Sequence, residues 1–140
     1  MTYSIIGRDP ASGELGVLLA SFYYGCAPRT IIAAPGAGIV VMQMVPDMRY
    51  AAVGIPRMSE GQDPKRILDD LLDEDTAKPI RQVAMLRVDG SVAVFTGEGC
   101  IPSSGHMTGR DCCAQGAMVA SDQPAKIRKM RKTSRSWLPR

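Results

Sequence analysis

The sequence predicts an α+β layered fold with two helices packed on an antiparallel sheet. Three observations carry this. Apolar residues recur at a two-residue spacing on both sides of Asp89-Gly90, an apolar helical stripe follows Asp63-Pro64, and strand-like runs lie both before and after that helix. Strands, then helices, then strands again suit a sheet with its helices gathered on one face. At 140 residues the chain supports one core but not two.

Thr2–Arg8 has strand composition and ends at Asp9-Pro10-Ala11-Ser12-Gly13, where Asp caps, Pro presets φ and Gly turns the chain. Leu15–Ser21 is almost continuously apolar, the pattern of a strand buried on both faces, and completes a hairpin. Phe22-Tyr23-Tyr24 is expected to join the core rather than line a pocket. The stretch from Pro28 to Gly38 reads as irregular, and Gly38–Val45 as the third strand, in which Gln43 is a buried amide needing partners. Arg49–Glu60 has helical composition weakened by Gly54 and Pro56, so a short or broken helix is expected. The next helix starts better, with Asp63 as N-cap and Pro64 at the first position. Ile67, Leu68, Leu71 and Leu72 then form its single apolar stripe, and Pro79 ends the region. The hairpin follows, with Val83, Met85 and Val88 before Asp89-Gly90 and Val92, Val94 and Thr96 after it. A last strand is expected over Ala114–Ala120.

Charge is unevenly placed. The chain is +3 overall, but residues 126–140 hold seven basic residues and no acid, so removing those seven charges leaves residues 1–125 at −4. We read 1–123 as the domain and 124–140 as a basic, disordered tail. The tail has neither a recognition fold nor an aromatic platform, so nucleic-acid binding is not expected. No run approaches the roughly 18 apolar residues of a membrane span, and Met-Thr-Tyr-Ser is not a signal peptide. The expected setting is cytoplasmic, with Cys26, Cys100, Cys112 and Cys113 as reduced thiols. One histidine and no C-x-x-C argue against a metal site, and no cofactor is expected.

Gly97–Gly109 is the stretch to search for chemistry: thirteen residues with four glycines, the only histidine, Cys100 and several hydroxyls. His106 is the candidate acid, base or oxyanion donor; a loop histidine bonded to local backbone is the plainer reading. Backbone amides at Gly97, Gly99 or Gly116 offer an oxyanion hole, although glycine's use in turns explains them equally well. Thr96 and Cys100 flank these glycines, and Gln43 and Gln115 are candidate binders of a substrate amide or satisfied core amides. A rival pairs Cys100 with His106 as thiol and imidazole, provided the intervening loop folds back.

Several patches together resemble one family, the domain of unknown function 1028. They are T-Y-S-I at Thr2–Ile5, R-D-P at Arg8–Pro10, G-E-L-G-V at Gly13–Val17 and R-Q-V at Arg81–Val83. The densest are T-G-x-x-C-I-P-x-x-G-H-x-T-G over Thr96–Gly109 and A-Q-G over Ala114–Gly116. The likeness covers Thr2 to Gln123. It implies an N-terminal nucleophile (Ntn) hydrolase fold, a layered αββα sandwich, and an unassigned hydrolase activity. Departures are Ser103-Ser104 where the family has Trp-Ala, and Ala117 where it has Asn. The family also continues well beyond Gln123, so a truncated or divergent end, an incomplete sandwich and an exposed edge favouring homo-oligomers are expected.

With that resemblance, Thr2 becomes the candidate nucleophile. Removal of Met1 exposes its α-amine, whose pKa of about 7.7–8.0 leaves a useful neutral fraction to accept the hydroxyl proton. The implied activity is hydrolysis of an amide-like C–N bond in an unknown small substrate. A catalytically degenerate binding or assembly subunit is the alternative. The Thr2 reading requires the chain start and the glycine–histidine crossover to meet.

Overall fold

The computed structural model describes residues 1–118. The tail at 124–140 and the domain limit at 123 lie outside the described residues. Two four-stranded antiparallel sheets pack face to face. One has the order β2-β1-β8-β7, from β1 (Thr2–Arg8), β2 (Leu15–Ser21), β7 (Gly105–Gly109) and β8 (Cys112–Ala117). The other has the order β3-β4-β5-β6, from β3 (Ile31–Ala34), β4 (Gly38–Met44), β5 (Arg81–Arg87) and β6 (Val92–Thr96).

The mixed α+β class is therefore observed, as two antiparallel sheets where the strand and helix pattern alone pointed to a single one. The helices α2 (Arg49–Ser59) and α3 (Pro64–Glu74) cover the outer face of the β3–β6 sheet. Val40 and Met42 of β4 and Val83 and Met85 of β5 point toward them and meet Tyr50, Met58, Ile67 and Leu68. The opposite faces of the same strands, with Ile39, Val41, Ala84 and Leu86, meet Ile6 and Cys113 of the other sheet. The period of two along β4 and β5 thus feeds both apolar layers at once, which is why these strands read as continuous hydrophobic runs.

Several expectations need correction. α2 is one continuous helix despite Pro56. Its buried residues Tyr50, Ala51, Gly54 and Met58 form one stripe, and packing on β4 outweighs the single hydrogen bond that proline removes. Residues 28–38 are not irregular: a short helix α1 (Ala27–Thr30) runs into β3. β2 is an edge strand, with Val17 38% and Leu18 51% exposed, so its apolar run is not buried on both faces. Phe22, Tyr23 and Tyr24 are exposed and leave the core; Phe22 and Tyr23 meet only edge to face. The crossover is shorter than thirteen residues because Gly105–Gly109 forms β7, and the last strand begins earlier, at Cys112.

Other expectations hold. Asp63 accepts the Lys65 amide at 2.9 Å as the N-cap of α3. The Asp89-Gly90 turn joins β5 to β6, with Gly90 at φ 92°. Among the described residues the helices α2 and α3 make their contacts with the β3–β6 sheet.

Candidate active site

Register brings the candidate side chains to one end of the space between the sheets. On one sheet, Leu19, Ser4, Gln115 and His106 lie in a row across β2, β1, β8 and β7. On the other, Gln43, Gln82 and Thr96 lie in a row across β4, β5 and β6. The rows face each other and bond across the gap. Gln43 Nε2 donates to Ser4 Oγ at 2.6 Å, Gln115 Nε2 to the Val41 carbonyl at 3.2 Å, and Thr96 Oγ1 lies 2.9 Å from His106 Nδ1. Gln82 Nε2 reaches Thr96 Oγ1 and the carbonyls of Gly105 and Gly116, each at 3.1 Å.

All three glutamines are buried, and the Oε1 atoms of Gln43, Gln82 and Gln115 accept nothing among the described residues. Gln82 and Gln115 cannot be turned round to relieve this, because their Nε2 groups face carbonyls that only accept. Each unpaired buried acceptor costs on the order of 1–3 kcal/mol. This polar layer is therefore a poor stabiliser of the fold.

Thr2 sits on the same face of β1 as Ser4, one row nearer the end, opposite Ser21 and Ala117. Its hydroxyl lies 2.9 Å from Ser21 Oγ, which also accepts the Tyr23 amide at 3.0 Å. β1 and β7 run parallel with β8 between them, so Thr2 and the start of β7 share one end of the sheet. Strand spacing and rise put the Thr2 and His106 Cα atoms about 12 Å apart. The chain start and the crossover thus lie at the same end of this sheet, with β8 between them. Met1 precedes Thr2 and is half exposed, its carbonyl accepting the Phe22 amide at 3.0 Å.

The glycine amides behave differently from expectation. Gly97 N–H donates to the Arg81 carbonyl at 2.9 Å and Gly99 N–H to the Pro79 carbonyl at 2.8 Å, so neither is free to receive an oxyanion. A Cβ on Gly97 would overlap the Lys78 and Pro79 carbonyls, so close approach of two backbone segments explains this glycine. Gly116 lies inside β8 between Tyr3 and Gly105, and its carbonyl is taken by Gln82. The rival thiol pair also gives way. Cys100 Sγ donates to the Arg81 carbonyl at 3.4 Å, burial raises its pKa above the ordinary thiol value, and His106 Nδ1 is engaged by Thr96.

Arg81 is the base on which this end rests. Its side chain donates to Asp75 Oδ2 at 2.8 Å, the Val45 carbonyl at 2.8 Å and Asp47 Oδ2 at 3.1 Å, while Tyr50 donates its hydroxyl to Asp75 at 2.9 Å. The Arg81 guanidinium holds the Asp75 carboxyl down at about 2. Desolvation by its neighbours lowers the His106 ring from its ordinary value, which favours the neutral imidazole. At the far end of the sheets lies a separate polar depression of about 680 Å³, lined by Arg8, Asp89, Thr108, Arg110 and Asp111.

Sequence reasoning missed Ser4, Ser21 and Gln82. Their signal was register: the hairpin pairs Ser21 with Thr2, and Gln82 stands directly across from Gln43 and Thr96. Among the described residues, no group of three or more metal-ligating side chains exists, and no helix is long and apolar enough to cross a membrane. The four cysteines are free thiols.

Two facing antiparallel sheets with a helix pair on one of them, and a polar layer between, define the class. The chain belongs to the family of unknown function DUF1028, which matches residues 2–136 and so runs past Gln123, where the likeness was expected to stop. It is also similar to a crystal structure of a protein of that family from Silicibacter pomeroyi, with a TM-score of 0.88 at 22% identity. That match covers 99% of this chain and 64% of the other, so this chain spans less than two thirds of its relative's length. At that identity the likeness establishes the fold. No curated protein matches the chain.

Proposed function

We propose that this chain is an Ntn-type hydrolase, with the αββα layering that name implies, cleaving an amide-like C–N bond in a small substrate. Thr2 is the nucleophile and His106 the polarising group. The observation that supports this most is that Thr2 and His106 share one end and one face of the same sheet. After Met1 is removed, the neutral α-amine of Thr2 takes the hydroxyl proton as Oγ1 attacks the substrate carbonyl carbon. His106 Nε2–H donates to the developing oxyanion. Collapse breaks the C–N bond, and the ammonium returns its proton to the leaving nitrogen. Water then hydrolyses the Thr2 ester with the same amine as base, regenerating the hydroxyl. Ser21 orients the Thr2 hydroxyl, and the engaged glycine amides leave His106 as the donor to the oxyanion.

Intact mass of the purified protein tests the first requirement: loss of Met1 is expected, and retained Met1 overturns the mechanism. An acylating electrophile should then add its mass at Thr2 and at no cysteine.

A second reading, a degenerate binding subunit, is favoured by one observation: Gly97 and Gly99 spend their amides on the backbone. An unacylated Thr2 in a mature, Met1-free protein would support it. The exposed β2 edge, with Val17 and Leu18, supports self-association in a cytoplasmic setting, and light scattering should give at least twice the chain mass of 15.0 kDa.

A further inference from the structure

We infer that Gln82 is a positioning residue: it orients the Thr96 hydroxyl so that His106 is held in the tautomer carrying its proton on Nε2. Gln82 is fully buried in β5 and reaches across to the other sheet. Its Nε2 sits 3.1 Å from the Gly105 and Gly116 carbonyls, which belong to β7 and β8 and only accept. Those two contacts fix the amide with its N–H groups toward β7 and exclude the flipped orientation.

Thr96 Oγ1 is the third acceptor around the same nitrogen and shares one of its two hydrogens with a carbonyl. An amide nitrogen offers no lone pair, so the Thr96 hydrogen cannot point back at Gln82. Its other partner is His106 Nδ1, at 2.9 Å. Donation to Nδ1 is the arrangement that gives the Thr96 hydrogen a partner; Nδ1 then carries a lone pair and the ring proton resides on Nε2. His106 is an exposed residue, and with the proton on Nε2 that nitrogen is a donor and not a base. Gln82 touches no substrate in this scheme; it acts through Thr96. The polarity of the site is thus set two residues back, at a position 0% exposed to solvent.

This inference deepens the hydrolase reading and takes His106 from it, but its test needs neither substrate nor activity. The chain has a single histidine, so a long-range proton–nitrogen correlation spectrum of the nitrogen-15-labelled full chain reports one imidazole without ambiguity. At neutral pH the Nε2-protonated form should dominate by about tenfold, the ratio one net hydrogen bond sets. Gln82→Met frees the Thr96 hydroxyl to turn and accept from Nδ1–H, and the ratio should fall several-fold. Thr96→Val should lower it as well, while Thr96→Ser restores the wild-type spectrum. A wild-type ring protonated on Nδ1 overturns the inference, as does a folded Gln82→Met protein with an unchanged spectrum. Should Gln82→Met fail to fold, the wild-type tautomer and the Thr96→Val and Thr96→Ser pair decide it. A missing Thr2 acyl adduct would sink the hydrolase reading and leave this result standing.

Discussion

The space between the two sheets has two halves built from the same strands. Toward one end, Ile6, Ile39, Val41, Ala84, Leu86 and Cys113 make a dry apolar layer. Toward the other, Ser4, Gln43, Gln82, Thr96, Gln115 and His106 make a polar one. Along β5 the change from Leu86 and Ala84 to Gln82 takes two residues per step on one face. The apolar half gains from burial at roughly 25 cal/mol per Å². The polar half carries three carbonyl oxygens with no partner among the described residues and gains little. Burying such groups beside Thr2 and His106, when the same strands supply Val and Leu elsewhere, is a cost in stability that the proposed site would explain.

The contrast can be broken most directly at Thr2. Thr2→Ala should reduce turnover of any amide substrate found for the native chain by at least about 10³-fold, roughly 4 kcal/mol in the barrier, with an unchanged denaturation midpoint. Equal loss of activity and stability would mean Thr2 is structural. Leu86→Ala, in the dry half, should do the reverse: about 3 kcal/mol less stable by urea unfolding, with His106 signals in place.

Acid titration probes the base under the polar half. Asp75 has its pKa lowered to about 2 by the Arg81 hydrogen bond, so its contribution is complete above the ordinary value of 3.8. It should disappear as pH falls from there through about 2, for a loss on the order of 2 kcal/mol. A flat unfolding free energy across that window would remove Arg81 and Asp75 as the clamp. The smallest effect is expected from the double variant Ser4→Ala with Gln43→Leu. Replacing both partners by apolar groups should cost less than about 1 kcal/mol or stabilise slightly. A cost matching Leu86→Ala would show that the polar half supports the fold as much as the dry half does.

Much of this was legible beforehand. The Asp89-Gly90 hairpin, the capped helix from Pro64 and the strand over Gly38–Met44 each follow from local chemistry and period. His106, Thr96, Gln43 and Gln115 were singled out by residue type, and all four lie in one layer. What misled was local too. Pro56 suggested a break that packing overrides, and the apolar run of β2 suggested a central strand where the sheet has its edge. Gly97 and Gly99 suggested free amides, but their donors were already committed to backbone far away in sequence.

By itself the sequence determined the longer strands and both long helices, because turn chemistry and hydrophobic period act over a few residues; the short elements Ala27–Thr30, Ile31–Ala34 and Gly105–Gly109 carried no such signal. It also supplied the reactive types, a hydroxyl near the chain start and one imidazole in a glycine-rich crossover. Only the tertiary structure decided that Gln82 stands behind Thr96 and that Ser21 stands beside Thr2. Those partners are set by strand register and sheet packing, and a hydrogen bond between residues 14 or 19 apart leaves no periodic trace along the chain.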